Sequence, residues 1–224
     1  MFSDRNDAGR QLAERLLALK LEHPVVLALP RGGVPIGFEI ARALHAPLDL
    51  VLVRKIGAPF QKELAVGAIA DGSQPELVVN DDIVATLDIP DEYFEAERQA
   101  AVQELERRRT AYLADRPPAE IEGRIAIVVD DGIATGATMA AALRSTRRRQ
   151  PAAVVLAVPV ASSDVLHRLR AEADRIVCLR MPPDFMAVGA YYNDFRQLRD
   201  SDVIALLDRA RAFVTAAKPS EERA

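Results

Sequence analysis

The chain has 224 residues, of which 50% are hydrophobic, 28% charged and only 5% aromatic. This length suits one compact domain, and the composition excludes collagen, a coiled coil and wholesale disorder. No apolar run approaches the roughly 20 residues that span a bilayer, and the first residues are too polar for a signal peptide. We therefore expect a protein with no membrane partner.

The charge balance and the cysteine content limit the expected binding partners and the expected cellular compartment. The chain carries 29 Lys and Arg against 33 Asp and Glu, a formal net charge of −4. Proteins that coat nucleic acid usually have a basic excess, so we expect no nucleic-acid partner. Cys178 has no second cysteine with which to pair, which favours a reducing cytoplasm.

Apolar runs and helical patterns alternate along the chain. The runs lie at residues 25–29, 48–53, 125–129, 153–158 and 175–179, and the helical patterns at 9–20, 35–44, 138–149 and 164–171. Continuous β-branched runs are typical of strands that are buried on both faces of a parallel sheet. The alternation predicts an α/β fold with a doubly wound, mostly parallel sheet.

Two segments break this alternation. Residues 89–114 are rich in charge, and they predict a solvated helix on the core more strongly than a nucleic-acid contact. Residues 115–118 then form a linker. We expect a core over residues 1–180 with an inserted helical segment at about 90–115, followed by a C-terminal hood and helix over residues 181–224.

The strand at 125–129 runs into two adjacent acids, Asp130 and Asp131, and then into a loop of small residues. Ligands of open α/β sheets bind beyond the carboxyl ends of strands. The loop offers two glycines and two hydroxyls: Gly132, Gly136, Thr135 and Thr138. Its free N–H groups, at the start of the next helix, would suit a phosphate.

Two carboxylates beside such a cradle would repel the phosphate itself. They suit hydroxyl groups or a magnesium ion, and a sugar phosphate satisfies both halves of the site. The loop has neither the Gly-x-Gly-x-x-Gly of dinucleotide sites nor the Gly-Lys-Ser/Thr of P-loops. An Asp-Asp-Gly turn before a capped helix also occurs in loops that bind nothing, so the motif alone leaves both interpretations open.

Residues 128–139, Val-Val-Asp-Asp-Gly-Ile-Ala-Thr-Gly-Ala-Thr-Met, resemble the phosphoribosyl-pyrophosphate (PRPP) motif of type I phosphoribosyltransferases. Residues 29–37, Leu-Pro-Arg-Gly-Gly-Val-Pro-Ile-Gly, resemble the family's pyrophosphate loop in its xanthine phosphoribosyltransferase form. The chain looks most like poorly characterised bacterial members. The resemblance implies Mg²⁺-dependent transfer of 5-phosphoribosyl from PRPP to a nucleobase or similar nitrogen acceptor, by a cytoplasmic homodimer.

The resemblance also implies residue roles. Asp130 and Asp131 would bind the ribose hydroxyls and hold Mg²⁺, directly or through water, and would act with Arg31 as catalytic residues. Lys55 is added to this catalytic set because the end of the second predicted strand borders the same crevice. A cis peptide bond is expected at Pro30–Arg31 or at Arg31–Gly32. The implied PRPP-binding set is Arg31, Gly32, Gly33, Asp130, Asp131, Gly132, Ala134, Thr135, Gly136, Ala137 and Thr138.

The stretch after the second predicted strand allows two interpretations. Arg54 or Lys55 could reach the pyrophosphate, or the two could be a solvated charge pair at a strand end. Residues 60–68, which include Lys62, are expected to form a flexible loop that closes over the site, as in the family.

The acceptor stays open. The 6-oxopurine members carry an aspartate where this chain has Ala134, and alanine cannot assist proton transfer. Aromatic residues in 181–195 either stack on a planar base or fasten the last helix to the core. A sensor that keeps the sugar-phosphate site and regulates a partner is the alternative function. A phosphatase or kinase is a weaker one, because no nucleophile signature supports it.

Overall fold

The computed structural model describes residues 1–71, 76–79, 81–87, 89–114 and 116–215. Its helices are α1 (Arg5–Leu17), α2 (Gly33–Leu44), α3 (Asp81–Leu87), α4 (Asp91–Leu113), α5 (Ala137–Arg148), α6 (Ser163–Leu169) and α7 (Asp200–Thr215). Its strands are β1 (Pro24–Ala28), β2 (Leu48–Leu50), β3 (Val53–Ala58), β4 (Gln61–Ala70), β5 (Glu76–Val79), β6 (Ile125–Val129), β7 (Ala153–Val160) and β8 (Arg175–Arg180). A short 3₁₀ turn, Val188–Tyr191, precedes α7.

Five strands form a parallel sheet in the order β2-β1-β6-β7-β8. The chain moves outward from β1 to β2 on one side and from β6 through β7 to β8 on the other. This arrangement confirms the predicted doubly wound α/β fold. Because β1 and β6 are neighbours, the loops that leave their carboxyl ends lie side by side where the strand order reverses, which is where such folds bind ligands.

Apolar side chains cover both faces of this sheet. Along β1, Val25 and Leu27 pack on the side of α5 and α6, whereas Val26 packs on the side of α1 and α2. Successive side chains of a strand point to opposite faces, so a strand covered on both sides must be apolar throughout. This is why the sheet strands read as continuous apolar runs in the sequence.

The segment after β2 differs from the prediction in two respects. The single strand expected over 48–53 is two strands, since β2 ends at Leu50 and Val53 begins β3. The flexible loop expected over 60–68 is wrong, because β4 pairs with both β3 and β5 in an antiparallel sheet. Ile69 packs in a cluster with α4, and Ala68 and Ala70 pack against α5, so the strand is covered on two sides. The backbone of Lys62 belongs to β4, while its side chain lies outside the described residues.

Helix α4 confirms the helix that was predicted in the charged segment. Its Ala101 and Leu105 are buried against the second sheet, while Glu104 pairs on its exposed side with Arg107 and Arg108 at 2.8 and 2.7 Å. Exposed pairs of this kind contribute little and mark a solvated face. Among the residues that the structure describes, no helix is both long and apolar enough to cross a membrane.

The first residues of the chain pair with the segment that precedes α7. The N–H of Phe2 donates to the Tyr191 carbonyl (2.8 Å), and the N–H of Asn193 donates to the Phe2 carbonyl (2.9 Å). The fully buried Phe2 ring packs on Tyr192, with centroids 5.4 Å apart. The segment predicted as a hood is therefore fastened to residues from the opposite end of the sequence.

One hydrogen bond joins α4 to the start of α7, and it generates a prediction about stability. The buried Tyr112 hydroxyl donates to Asp200 Oδ1 (2.6 Å), and burial, together with this bond, raises the pKa of Tyr112 to about 12. Tyr112→Phe should lower the free energy of unfolding by about 1–2 kcal/mol near neutral pH, measured by urea denaturation.

The difference in stability between the wild type and Tyr112→Phe should also depend on pH. A phenol that is held protonated in the folded state stabilises it fully below its unfolded pKa of about 10, and this contribution is lost as pH rises towards about 12. The advantage of the wild type over Tyr112→Phe should therefore shrink above about pH 10. A constant difference across that range would contradict the assignment of this hydrogen bond.

Candidate active site

The loop after β1 reaches across to the end of β6. The N–H of Leu29 donates to the Val129 carbonyl (2.9 Å). The N–H of Gly33, the first residue of α2, donates to the Leu29 carbonyl (2.9 Å). The Pro30–Arg31 peptide bond is cis, the first of the two positions expected from the sequence. The loop thus brings Arg31 and the two glycines that follow it to the acid end of β6.

The two glycines of this loop are required by close contact. A Cβ on Gly32 would overlap the Asp131 carboxylate, and a Cβ on Gly33 would lie 2.6 Å from the Val129 carbonyl oxygen. Gly32 has φ −63° and ψ −36°, an ordinary helical conformation, so the demand for glycine comes from Asp131 alone. The two motifs that the sequence places about 100 residues apart therefore touch each other.

Asp130 and Asp131 form a half-buried acid pair directly after β6. The N–H of Asp131 donates to Asp130 Oδ1 (2.8 Å), and Asp131 Oδ2 accepts from Arg5 Nε (2.9 Å). Burial and the negative charge of Asp131 raise the pKa of Asp130 well above its ordinary value, against the opposing charges of Arg5 and Lys55. Burial also raises the pKa of Asp131, and Arg5 opposes that shift. The positive charges nearby therefore offset part of the cost of burying two adjacent carboxylates.

The small-residue loop that follows is an amide-lined cradle. The N–H of Ile133 donates to the Val160 carbonyl (3.0 Å), and Gly136, at φ 88°, caps the start of α5. Within the described part of the chain, the N–H groups of residues 134–139 donate no hydrogen bond. Unpaired N–H groups at the positive end of a helix dipole form a site for an anion.

Two predicted basic residues border the acid pair. Arg31 is exposed and lies 4.0 Å from Asp200 Oδ1, the same atom that accepts from Tyr112. Lys55, on β3, is also exposed, and its charge acts on Asp130 by lowering the pKa of that carboxyl. The structure therefore brings the predicted residues of both motifs, together with Lys55, to one edge of the sheet.

The aromatic residues near this edge pack on one another. Phe185 stacks on Tyr191 (5.7 Å between centroids, 15° between planes), and Phe195 packs on Tyr192 at 5.0 Å. The Tyr192 hydroxyl donates to the Asp131 carbonyl (2.6 Å), while burial and nearby negative charge raise the pKa of Tyr192. Of the two alternatives for residues 181–195, these contacts favour a role in holding the last helix on the core over a role in stacking on a base.

No sequence pattern indicates two of these contacts. Arg5, at the first position of α1, is 126 positions from Asp131, and Tyr192 is 61 positions from it. The only local signal near Arg5 is the N-cap Asp4, which accepts from the Asp7 N–H (2.7 Å) and marks a helix start. Arg5 belongs to no motif, and Tyr192 is one of several aromatic residues in the segment 181–195, so only the fold could reveal their contacts with Asp131.

A resident metal would need more ligands than this edge provides. The described residues contain no group of three or more His, Cys, Asp or Glu side chains that could hold a metal ion. Mg²⁺ is commonly held by one or two carboxylates together with water and substrate phosphates. The acid pair fits that second arrangement, in which the substrate supplies most of the ligands.

An acid pair, an amide cradle and a basic loop thus meet where the strand order of this α/β fold reverses, which is where such folds bind ligands. The model of the phosphoribosyl transferase domain matches residues 4–194. Rv0571c of Mycobacterium tuberculosis H37Rv, which carries the name of a phosphoribosyl transferase, is 48% identical over 94% of this chain. The chain spans about half the length of that relative, 47%.

A solved structure supports the same conclusion. TT1426 of Thermus thermophilus is 47% identical, with a TM-score of 0.80, over 92% of this chain and 97% of that one. The chain belongs to the phosphoribosyl transferase domain family.

The contact at Gly32 generates a prediction about binding. Gly32→Ala should push the Asp131 carboxylate aside and weaken PRPP binding by roughly tenfold or more, the scale of one charge-assisted hydrogen bond. The fold should remain, because the overlapped atoms belong to a side chain. Isothermal titration calorimetry and thermal unfolding measure the two effects separately.

Gly123→Ala is the matched control. Gly123 has φ +68° and open space around it, so alanine there adds only backbone strain of about 1 kcal/mol. We expect Gly123→Ala to lower Tm and to leave PRPP affinity unchanged. Equal affinity losses in the two variants would show that the Gly32 contact has no particular role in binding.

Proposed function

We propose that the chain catalyses Mg²⁺-dependent transfer of the 5-phosphoribosyl group from PRPP to a nucleobase or a similar nitrogen acceptor, with release of pyrophosphate. The observation that carries the proposal is the direct contact between the glycines after Arg31 and the acid pair of the PRPP-like motif. Two binding halves in contact suit one ligand that carries hydroxyls at its centre and phosphates at both ends.

Each part of PRPP has a partner of suitable chemistry in this arrangement. The unpaired N–H groups of residues 134–139 receive the 5′-phosphate. Asp130 and Asp131 accept hydrogen bonds from the ribose hydroxyls. Arg31 and Lys55 face the pyrophosphate. The acid pair thus suits the hydroxyls at the centre of the substrate, and the cradle and the basic residues suit the phosphates at its two ends.

The chemistry asks the chain mainly for position and charge. The bond from the anomeric carbon to pyrophosphate breaks as the acceptor nitrogen forms its new bond, and positive charge develops at the ribose ring. Asp130 and Asp131 stabilise that positive charge, while Arg31 and Lys55 stabilise the negative charge of the leaving pyrophosphate. Bound Mg²⁺ supplies further charge neutralisation on the phosphate oxygens.

The identity of the acceptor base is less constrained than that of the phosphoribosyl donor. Ala134 is exposed and offers no group that could take or give a proton to the acceptor base. The acceptor's own proton must then leave by another route, or the reacting nitrogen must carry none. A panel that includes adenine, hypoxanthine, guanine, xanthine, uracil and orotate covers both cases.

Pyrophosphate release tests the proposal. The wild-type chain, with PRPP and Mg²⁺, should release pyrophosphate in the presence of one base of the panel and bind PRPP in calorimetry. Asp130→Asn combined with Asp131→Asn should weaken PRPP binding at least tenfold, because both hydroxyl acceptors lose their charge.

Glu95→Gln combined with Glu104→Gln is the matched control. It also removes two negative charges, at exposed pairs on α4 whose loss costs little. PRPP binding without turnover on any base would reject the transferase and favour the sensor. Absence of PRPP binding, or equal binding by both double variants, would reject the PRPP site itself.

A further inference from the structure

We propose that Arg5 is a positioning residue for Asp131, and that the hood segment acts on the ribose site through it. The proposal rests on the function proposed above, because it takes Asp131 to be a ribose-hydroxyl acceptor. It concerns a residue that lies outside both motifs and that no local pattern marks.

The Asp131 side chain is held from several directions. Arg5 Nε donates to Oδ2 at 2.9 Å, and the side chains of Arg5 and Asp131 are only 11% and 14% exposed. The carboxylate fills the space that a side chain at Gly32 would take, so it already lies against the backbone of the loop. Within the described residues no hydrogen bond reaches Oδ1 of Asp131. Arg5 therefore fixes one oxygen of the carboxylate and leaves the other to accept a hydroxyl.

The charge of Arg5 matters as much as its position. Asp130 and Asp131 are neighbours in sequence, and both are partly removed from water, so each destabilises the charge of the other. The Arg5 guanidinium offsets this repulsion, because it lies 2.9 Å from the Asp131 carboxylate and both side chains are mostly shielded from water. It also reduces the negative field that a phosphate would meet on entering the neighbouring cradle.

The far side of the same guanidinium is held by the hood segment. Arg5 Nη1 donates to the Arg196 carbonyl (3.0 Å), and the guanidinium carbon lies 3.9 Å from the centre of the Phe195 ring. A planar arginine can satisfy a carboxylate, a carbonyl and a ring face together, which lysine cannot. Among the contacts described, Phe195 reaches Asp131 only through Arg5 and Tyr192.

If the role of Arg5 were purely structural, replacing it would lower the stability of the protein and weaken the binding of every ligand to the same extent. Helix α1 is capped by Asp4, independently of the Arg5 side chain. Arg10 lies on the same helix, exposed and 3.9 Å from Asp7, so Arg10→Ala removes the same charge without touching the acid pair. It is the matched control.

The first experiment measures affinity by calorimetry for PRPP, ribose 5-phosphate and inorganic pyrophosphate, each with Mg²⁺. Arg5→Ala should weaken PRPP and ribose 5-phosphate roughly tenfold or more and pyrophosphate much less, since only the first two contain ribose. Arg5→Lys should recover part of the loss. Arg10→Ala should match the wild type for all three ligands.

The second experiment is a double-mutant cycle. Phe195→Ala should weaken PRPP binding severalfold, and adding it to Arg5→Ala should cause a smaller loss than Phe195→Ala causes alone, because one of its two routes to Asp131 passes through Arg5. Independent, additive losses would overturn the link to the hood segment.

The remaining outcomes separate the two proposals. If the wild type fails to bind PRPP, the proposed function fails and the role of Arg5 in ribose binding fails with it. If the wild type binds PRPP and Arg5→Ala binds equally well or more tightly, the proposed function stands and the positioning role is wrong. An equal loss for pyrophosphate and ribose 5-phosphate would also reject it, in favour of a general effect of charge or folding.

Discussion

The repulsion between two adjacent, half-buried carboxylates at the end of β6 is the constraint on which the rest of the site depends. A pair of this kind is costly unless positive groups or hydrogen bonds compensate it. Here the compensation comes from Arg5 at the start of α1 and from Lys55 on β3. The N-terminal helix and the second sheet are therefore electrostatic parts of a site whose motif lies elsewhere in the chain.

The motif and the mostly parallel sheet were predictable because each is local or periodic. Continuous apolar runs marked the strands, and the Asp-Asp-Gly loop marked one strand end. The switch point then follows from β1 and β6 being neighbours. The cis bond was limited to two positions by resemblance alone, and it lies at the first of them, Pro30–Arg31.

What was missed has two causes. Strand β4 begins with polar residues, but residues 64–70 are a continuous apolar run that packs on α4 and α5. The resemblance to a family with a lid, rather than this run, led to the expectation of a loop. Arg5 and Tyr192 were missed for a different reason. An arginine in a first helical turn and a tyrosine in an aromatic run are each ordinary until the fold places both on Asp131.

Two ion pairs at the site differ in a way that assigns them different tasks. Arg5 and Asp131 are close and mostly buried, so separating them would leave the Asp131 carboxylate mostly buried without its ion-pair partner. Arg31 and Asp200 are 4.0 Å apart, with 40% and 53% of their side chains exposed, and a pair of that kind is worth at most about 1 kcal/mol. If PRPP is the substrate, as proposed, its charged pyrophosphate would displace Asp200 from Arg31 at little cost, whereas a ribose hydroxyl would not displace Arg5 from Asp131. The basic half of the proposed site would then exchange its partner on binding, and the acidic half would keep Arg5 as a permanent part of its structure.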